Sequence, residues 1–244
     1  MRILEKLLSR GMSDLKILGI DTSGQTASVA VCTKDNILAQ TTIFTKLTHS
    51  QVILPIANQV LEQSSTSLSE IDGIAITSGP GSYTGLRIGI AAVKAMCFSL
   101  EKKCIGISTL ESLAWNMVGF KGIICSVMTA RSNLLYTALF EGDGKSIIRL
   151  TDDEILPISD IVLHLTRLDG EIFFVGDGTS SLLDLDELNT SSRYTFAHVN
   201  KRLQLASSSC YAAFAKGLEN FYDPELLQAQ YLQITKAEKD LTNS

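Results

Sequence analysis

The chain has 244 residues, 45% of them hydrophobic and 19% charged, with a formal net charge of −5. That length allows one large domain or two of ordinary size, and the apolar content excludes disorder over most of it. There is no lysine/arginine cluster, which argues against autonomous nucleic-acid binding, and no apolar run reaches membrane-spanning length.

Residues Met1 to Ser13 carry basic and leucine/isoleucine residues but also Glu5 and no small-residue cleavage pattern, so a signal peptide is not expected. An extra helix, an upstream start ahead of Met12 and a cloning remnant all fit this stretch. A strand is expected at Lys16 to Asp21, a turn at Thr22-Ser-Gly-Gln, a strand at Thr26 to Thr33, a hairpin turn at Lys34-Asp35-Asn36 and a strand at Ile37 to Phe44. Thr48 or Ser50 can cap a helix running to Gln63, with Val52, Ile53, Ile56, Ala57, Val60 and Leu61 on one face; Pro55 would kink it unless it lies near the first turn. After a polar linker, Ser64 to Ser69, the apolar run Ile71 to Thr77 reads as a fourth strand.

Next comes Thr77-Ser-Gly-Pro-Gly-Ser-Tyr-Thr-Gly-Leu-Arg-Ile-Gly89, a glycine-rich junction that opens a helix from Ser82 to Leu100. Glycine lets another group approach the backbone closely, and a helix N-terminus offers free N–H groups to an anion. A tight turn needing glycine for sterics alone fits equally. The P-loop fails because Leu86, not lysine, follows Gly85; the dinucleotide fingerprint fails at Thr84; the nucleophile elbow fails because Pro80 and Thr84 flank Ser82. The helix is apolar on nearly every side, so it must be covered all round, by its own chain or by another.

A strand at Lys103 to Ile107 and a helix from Thr109 to Met117, with Thr109 as cap, close the first half. The second opens with strands at Gly122 to Met128, Leu134 to Glu141 and Ser146 to Leu150, joined by turns at Thr129 to Asn133 and Gly142 to Lys145. A helix at Ser159 to Arg167, a strand at Glu171 to Val175 and Gly176-Asp-Gly-Thr179 opening a further helix follow. Each half therefore reads βββαβα, an internal duplication in element order. Leu203 to Asn220 is expected to be helical, with Ala206, Cys210, Ala213, Phe214 and Leu218 on one stripe, and Lys236 to Ser244 to be a mobile tail. The domain reading is an extension over 1–14, a first half over 15–118 and a second over 119–244. The five cysteines, Cys32, Cys97, Cys104, Cys125 and Cys210, form no Cys-x-x-Cys pair, which points to structural thiols in a reducing compartment.

The duplicated plan, opened by Ile20-Asp-Thr-Ser23, resembles the actin-like (ribonuclease H-like) ATPase fold of hexokinases and heat-shock chaperones. More closely, the chain resembles the TsaB family. The matching stretches are Ile17 to Ser23, Thr48-His-Ser50 with Leu54-Pro55, Thr77 to Gly89, Ser108-Thr-Leu-Glu111, Ala130-Arg131 and Tyr231-Leu232. The resemblance implies a cytoplasmic, non-catalytic partner of a metal-binding paralogue, TsaD, which transfers a threonylcarbamoyl group to the adenosine beside the tRNA anticodon. It also implies association with the ATPase TsaE, contact with tRNA only through the complex, and no cofactor of its own, with ATP or ADP at the interface of the complex. The family often has aspartate where this chain has Thr129.

The residues agree with a non-catalytic reading. His49, His164 and His198 lie far apart, and Ile53 stands where a second metal-binding histidine would follow His49, so no metal site is expected. No serine or cysteine triad is legible. Asp21 fits a phosphate-binding turn or a strand-end turn former, the second being preferred; with Thr22, Gly79 and Gly81 it is a vestigial nucleotide-site candidate. The partner interface, which can also serve a homodimer, is expected on the two apolar helices at Ser50, Val52, Ile53, Ile56, Val60, Tyr83, Arg87 and Ile90. The alternative is a stand-alone actin-like ATPase or small-molecule kinase whose site combines Asp21, Thr22, Gly79 to Gly81 and Gly176 to Gly178.

Overall fold

The computed structural model describes residues 14–44, 48–131 and 133–232; the expectations for residues 1–13, Ser132 and the tail from Lys236 lie outside them. Two sheets form the frame. The first comprises β1 (Ile17–Asp21), β2 (Thr26–Cys32), β3 (Ile37–Phe44), β4 (Gly73–Gly79) and β5 (Cys104–Ser108), in the order β3-β2-β1-β4-β5. The β1–β2 and β2–β3 pairs are antiparallel, and β4 runs parallel to both β1 and β5. Every residue of β1 is buried, as a central strand covered on both faces requires.

One face is covered by helices α1 (His49–Gln63) and α2 (Tyr83–Leu100). Val52, Ile53, Ile56, Ala57, Val60 and Leu61 of α1 and Ile90, Val93 and Cys97 of α2 share a core with Leu18, Ile20, Val29, Val31, Ile74 and Ile76. Thr48 is the cap of α1: its N–H donates to Gln51 Oε1 at 3.3 Å. Pro55 lies beyond the first turn, and its missing N–H leaves the Gln51 carbonyl unpaired within the helix, on an exposed side where water can serve it.

The second sheet holds β6 (Lys121–Arg131), β7 (Leu134–Asp143), β8 (Ile147–Arg149), β9 (Glu154–Pro157), β10 (Ile172–Val175) and β11 (Tyr194–Phe196), in the order β11-β10-β6-β7-β8 with β9 also on β7. β6 thus stands where β1 stands in the first sheet, with its antiparallel neighbour β7 and parallel neighbour β10, and the duplication holds in topology as well as order. The third-strand position is split: β8 pairs Phe140 to Gly142, and β9 pairs Leu134 to Thr137. The turn expected from Thr129 is a continuation of β6, paired with β7 as far as Arg131 with a register shift between Thr129 and Arg131. Helices α4 (Ile158–Thr166), α5 (Thr179–Leu182) and α6 (Asp186–Asn189) line one face through Ile161, Leu165, Leu182 and Leu188.

The remaining helices are exchanged between the halves. Helix α3 (Thr109–Trp115) follows β5, yet with Met117 its Leu110, Leu113 and Ala114 pack on Ile124, Phe140, Phe173 and Val175 of the second sheet. Its cap is Ser108 rather than Thr109: Ser108 Oγ accepts from Glu111 N at 3.2 Å, and Thr109 is buried. Helix α7 (Ala206–Lys216) follows β11, yet Ala206, Cys210, Ala212 and Ala213 pack on Ile17, Ala30, Ala75 and Ile107 of the first sheet. Beyond α7 the chain stays with the first sheet: Tyr222 bridges Cys104, and Gln230 N donates to Ser78 O at 2.7 Å. The C-terminal segment, which follows the second sheet in sequence, thus lays its apolar stripe on the open face of the first.

Candidate functional site

The turn after β1 is held by its own side chains. Asp21 Oδ1 accepts from Ser23 N at 2.9 Å and from Ser23 Oγ at 2.7 Å. Asp21 is fully buried, and burial pushes its carboxyl up to about 6, against the opposing pull of the Ser23 hydrogen bonds. Thr22 Oγ1 donates to Gly85 O at 2.8 Å, and His49 Nε2, at the start of α1, lies 3.0 Å from Gly24 O. The turn, α1 and α2 are thereby fastened together.

The glycine junction accepts this turn. Ser82 N donates to Ser23 O at 2.7 Å, and Gly85 N donates to the cap Ser82 Oγ at 3.2 Å. A Cβ at Gly81 would overlap the Ser23 carbonyl, and one at Gly85 would overlap the Thr22 carbonyl. These glycines make room for the protein's own backbone, and the Ser82 and Gly85 N–H groups that could meet an anion are already donated within the protein. Gly79 is crowded on its other side by the Gln230 carbonyl, so the C-terminal segment closes the block from outside. Asp21, Thr22, Gly79 and Gly81 are brought together, as a packed junction.

Gly176 to Gly178 belong to the other sheet. Gly178 N donates to Val127 O at 3.2 Å, and Thr129 N donates to Asp177 Oδ2 at 3.4 Å. The carboxylate beside Thr129 thus comes from Asp177, whose pKa burial raises; its position in the sequence, beyond four further strands, gave no sign of this. Arg131 ends β6 at the surface. Among the described residues no cluster of three or more histidine, cysteine, aspartate or glutamate side chains could hold a metal ion.

The interface residues divide. Val52, Ile53, Ile56, Val60 and Ile90 are between 0% and 8% exposed, inside the core of the first half. Ser50, Tyr83 and Arg87 lie at the surface. Since α1 and α2 cover the same sheet face, their uncovered residues form the outside of one layer. It carries Leu54, 49% exposed, on α1, and Tyr83, 42%, and Phe98, 55%, on α2, with Ala91 and Ala95 between. The covering on all sides expected for α2 is therefore incomplete among the described residues. The Arg87 guanidinium lies 4.6 Å from the Tyr83 ring centroid, and Tyr83 packs 4.9 Å from Tyr231 of the C-terminal segment. No helix among the described residues is long and apolar enough to cross a membrane.

With this geometry in place, comparison with known proteins is informative. Residues 37–227 match the family model described as TsaD, tRNA N6-adenosine threonylcarbamoyltransferase. The chain is 31% identical over 166 residues to the tRNA threonylcarbamoyladenosine biosynthesis protein TsaB of Bacillus subtilis, covering 68% of this chain and 72% of that one. It is 33% identical over 175 residues to TsaB of Escherichia coli, covering 70% and 75%. Among solved structures, YeaZ from Pseudomonas aeruginosa superposes with a TM-score of 0.76 at 22% identity, over 89% of this chain and all of that one, a likeness of fold.

Proposed function

Because this chain belongs to the TsaB family, within the wider group matched by the threonylcarbamoyltransferase model, we propose that it serves threonylcarbamoyladenosine formation on tRNA as a non-catalytic scaffold. It binds a TsaD-like paralogue through the outer layer of α1 and α2 and holds that transferase in its active form. The observation that carries this reading is the pairing of a closed junction with an open helical layer. The turn and glycine loop that could receive phosphate are filled by Thr22, Ser23 and Gln230, while Leu54 and Phe98 stand exposed on the helices above, with Tyr83 half-exposed beside Arg87 and Tyr231. Exposed apolar and aromatic side chains on packed helices suit a protein partner.

The match to both families supports a partner of the same architecture, so that equivalent helices of the two proteins meet about a pseudo-twofold axis. The same layer can serve a homodimer. In this reading tRNA and the TsaE-like ATPase are met through the complex, and ATP or ADP binds at its interface rather than in this chain alone. The stand-alone ATPase or kinase is the second reading, and the filled junction counts against it. Calorimetry tests both. This chain titrated with the paralogue should show saturable binding, and titrated with Mg-ATP alone should show none. Micromolar Mg-ATP binding with hydrolysis, and no affinity for the paralogue, would reverse the assignment.

A further inference from the structure

The stretch Ser108-Thr-Leu-Glu111 has no part in the junction or in the helical layer, yet it sits where the two halves meet. Helix α3 is attached by sequence to the first sheet and by its leucines to the second. Its polar side faces α7: Ser112 and Ser209 hydroxyls are 3.0 Å apart, Ser208 Oγ donates to Asn116 Oδ1 at 2.6 Å, and Asn116 Nδ2 donates to the carbonyls of Lys201 and Leu203 at 2.7 and 2.9 Å. At the other end Glu111 lies between two cations. Its Oε1 is 2.9 Å from Lys216 Nζ, at the end of α7, and its Oε2 is 3.6 Å from Arg149 Nη2, at the end of β8. Arg149 Nη1 is 2.6 Å from Asp153 Oδ1, and Asp153 Oδ2 accepts from Ser108 Oγ at 2.6 Å. The Arg149 guanidinium also lies 4.7 Å from the Phe140 ring centroid, on the core of the second half.

We propose that Glu111 is the keystone of a lock that holds the two halves as one body. Lys216 rides on the helix covering the first sheet, and Arg149 belongs to the second. One carboxylate serves both, so its loss removes the acid that Lys216 shares with Arg149 and leaves Arg149 with Asp153 alone. Asp153 and Ser108 repeat the link across the same seam. A pair of isolated surface ions would contribute little; here Glu111 is partly buried and shared, and the elements it joins are the two exchanged helices and an edge strand. Because α3 packs on the second sheet, opening of the halves about this seam requires the Glu111–Lys216 pair to break, while Arg149 holds the carboxylate in place from its own side.

The test uses the full chain with Glu111→Gln, which removes the charge and keeps the shape. Hydrogen exchange should quicken roughly tenfold in α3 and α7 while β1, β4, β6 and β7 keep their protection. Unchanged exchange in α3 and α7, or equal loss throughout the strands, would overturn the lock. Lys216→Gln supplies a second arm. Combined with Glu111→Gln it should quicken exchange less than the product of the two single effects, as coupled neighbours do. A purely multiplicative effect would remove Lys216 from the lock and contradict the shared-carboxylate design.

Discussion

Asp21 is the residue on which the two functional readings diverge. As a phosphate-site acid it would need its charge, whereas as a buried turn former it is strained by that charge. Its carboxyl is raised from 3.8 to about 6 by burial, so the fold favours the neutral form. That contribution is fully present below about pH 4 and is lost as pH rises through about 6, a difference of up to about 3 kcal/mol. Asp21→Asn should therefore raise the melting temperature at pH 7.5 by several degrees and flatten the stability profile between about pH 4 and 6. Thermal denaturation across pH reads this directly. Gly85→Ala should act in the opposite sense, costing about 2–4 kcal/mol with no ligand present, because the new methyl meets the Thr22 carbonyl. Asp21 was legible as a turn former from Asp-Thr-Ser alone. Its full burial was not, since that depends on how α1 and α2, distant in sequence, close over the turn.

Helical periodicity placed Val52, Ile53, Ile56 and Val60 on one face correctly, but a stripe does not say what it packs against. Here it meets the sheet of its own chain, and the residues proposed to face a partner are those left over on the other side. Phe98→Glu should weaken association with the paralogue at least about tenfold, as aromatic anchors do, with little change in melting temperature. Val60→Asp, which puts a charge into the core, should abolish cooperative unfolding instead. Surface plasmon resonance together with circular dichroism separates the two outcomes. Strands β9 and β11 escaped the sequence for a different reason: four residues ending in Pro157 and three residues at Tyr194 to Phe196 are too short to show alternation. Their place is fixed by neighbours, β7 and β10, rather than by their own pattern.

At the scale of the whole molecule the duplicated βββαβα order was visible, because each half repeats the same succession of apolar runs and turns. The exchange of α3 and α7 was not, because order along the chain does not state which sheet a helix covers. The resulting molecule has both halves of a duplicated βββαβα fold, a junction packed with its own backbone and a partly exposed helical layer. The most direct measurement is reconstitution of threonylcarbamoyl transfer to tRNA by the purified paralogue, with and without this chain. Transfer should be slight with the paralogue alone and restored by adding this chain or its Asp21→Asn variant, while Phe98→Glu should fail to restore it. Equal transfer in the absence of this chain, or steady ATP turnover by this chain on its own, would contradict the scaffold role.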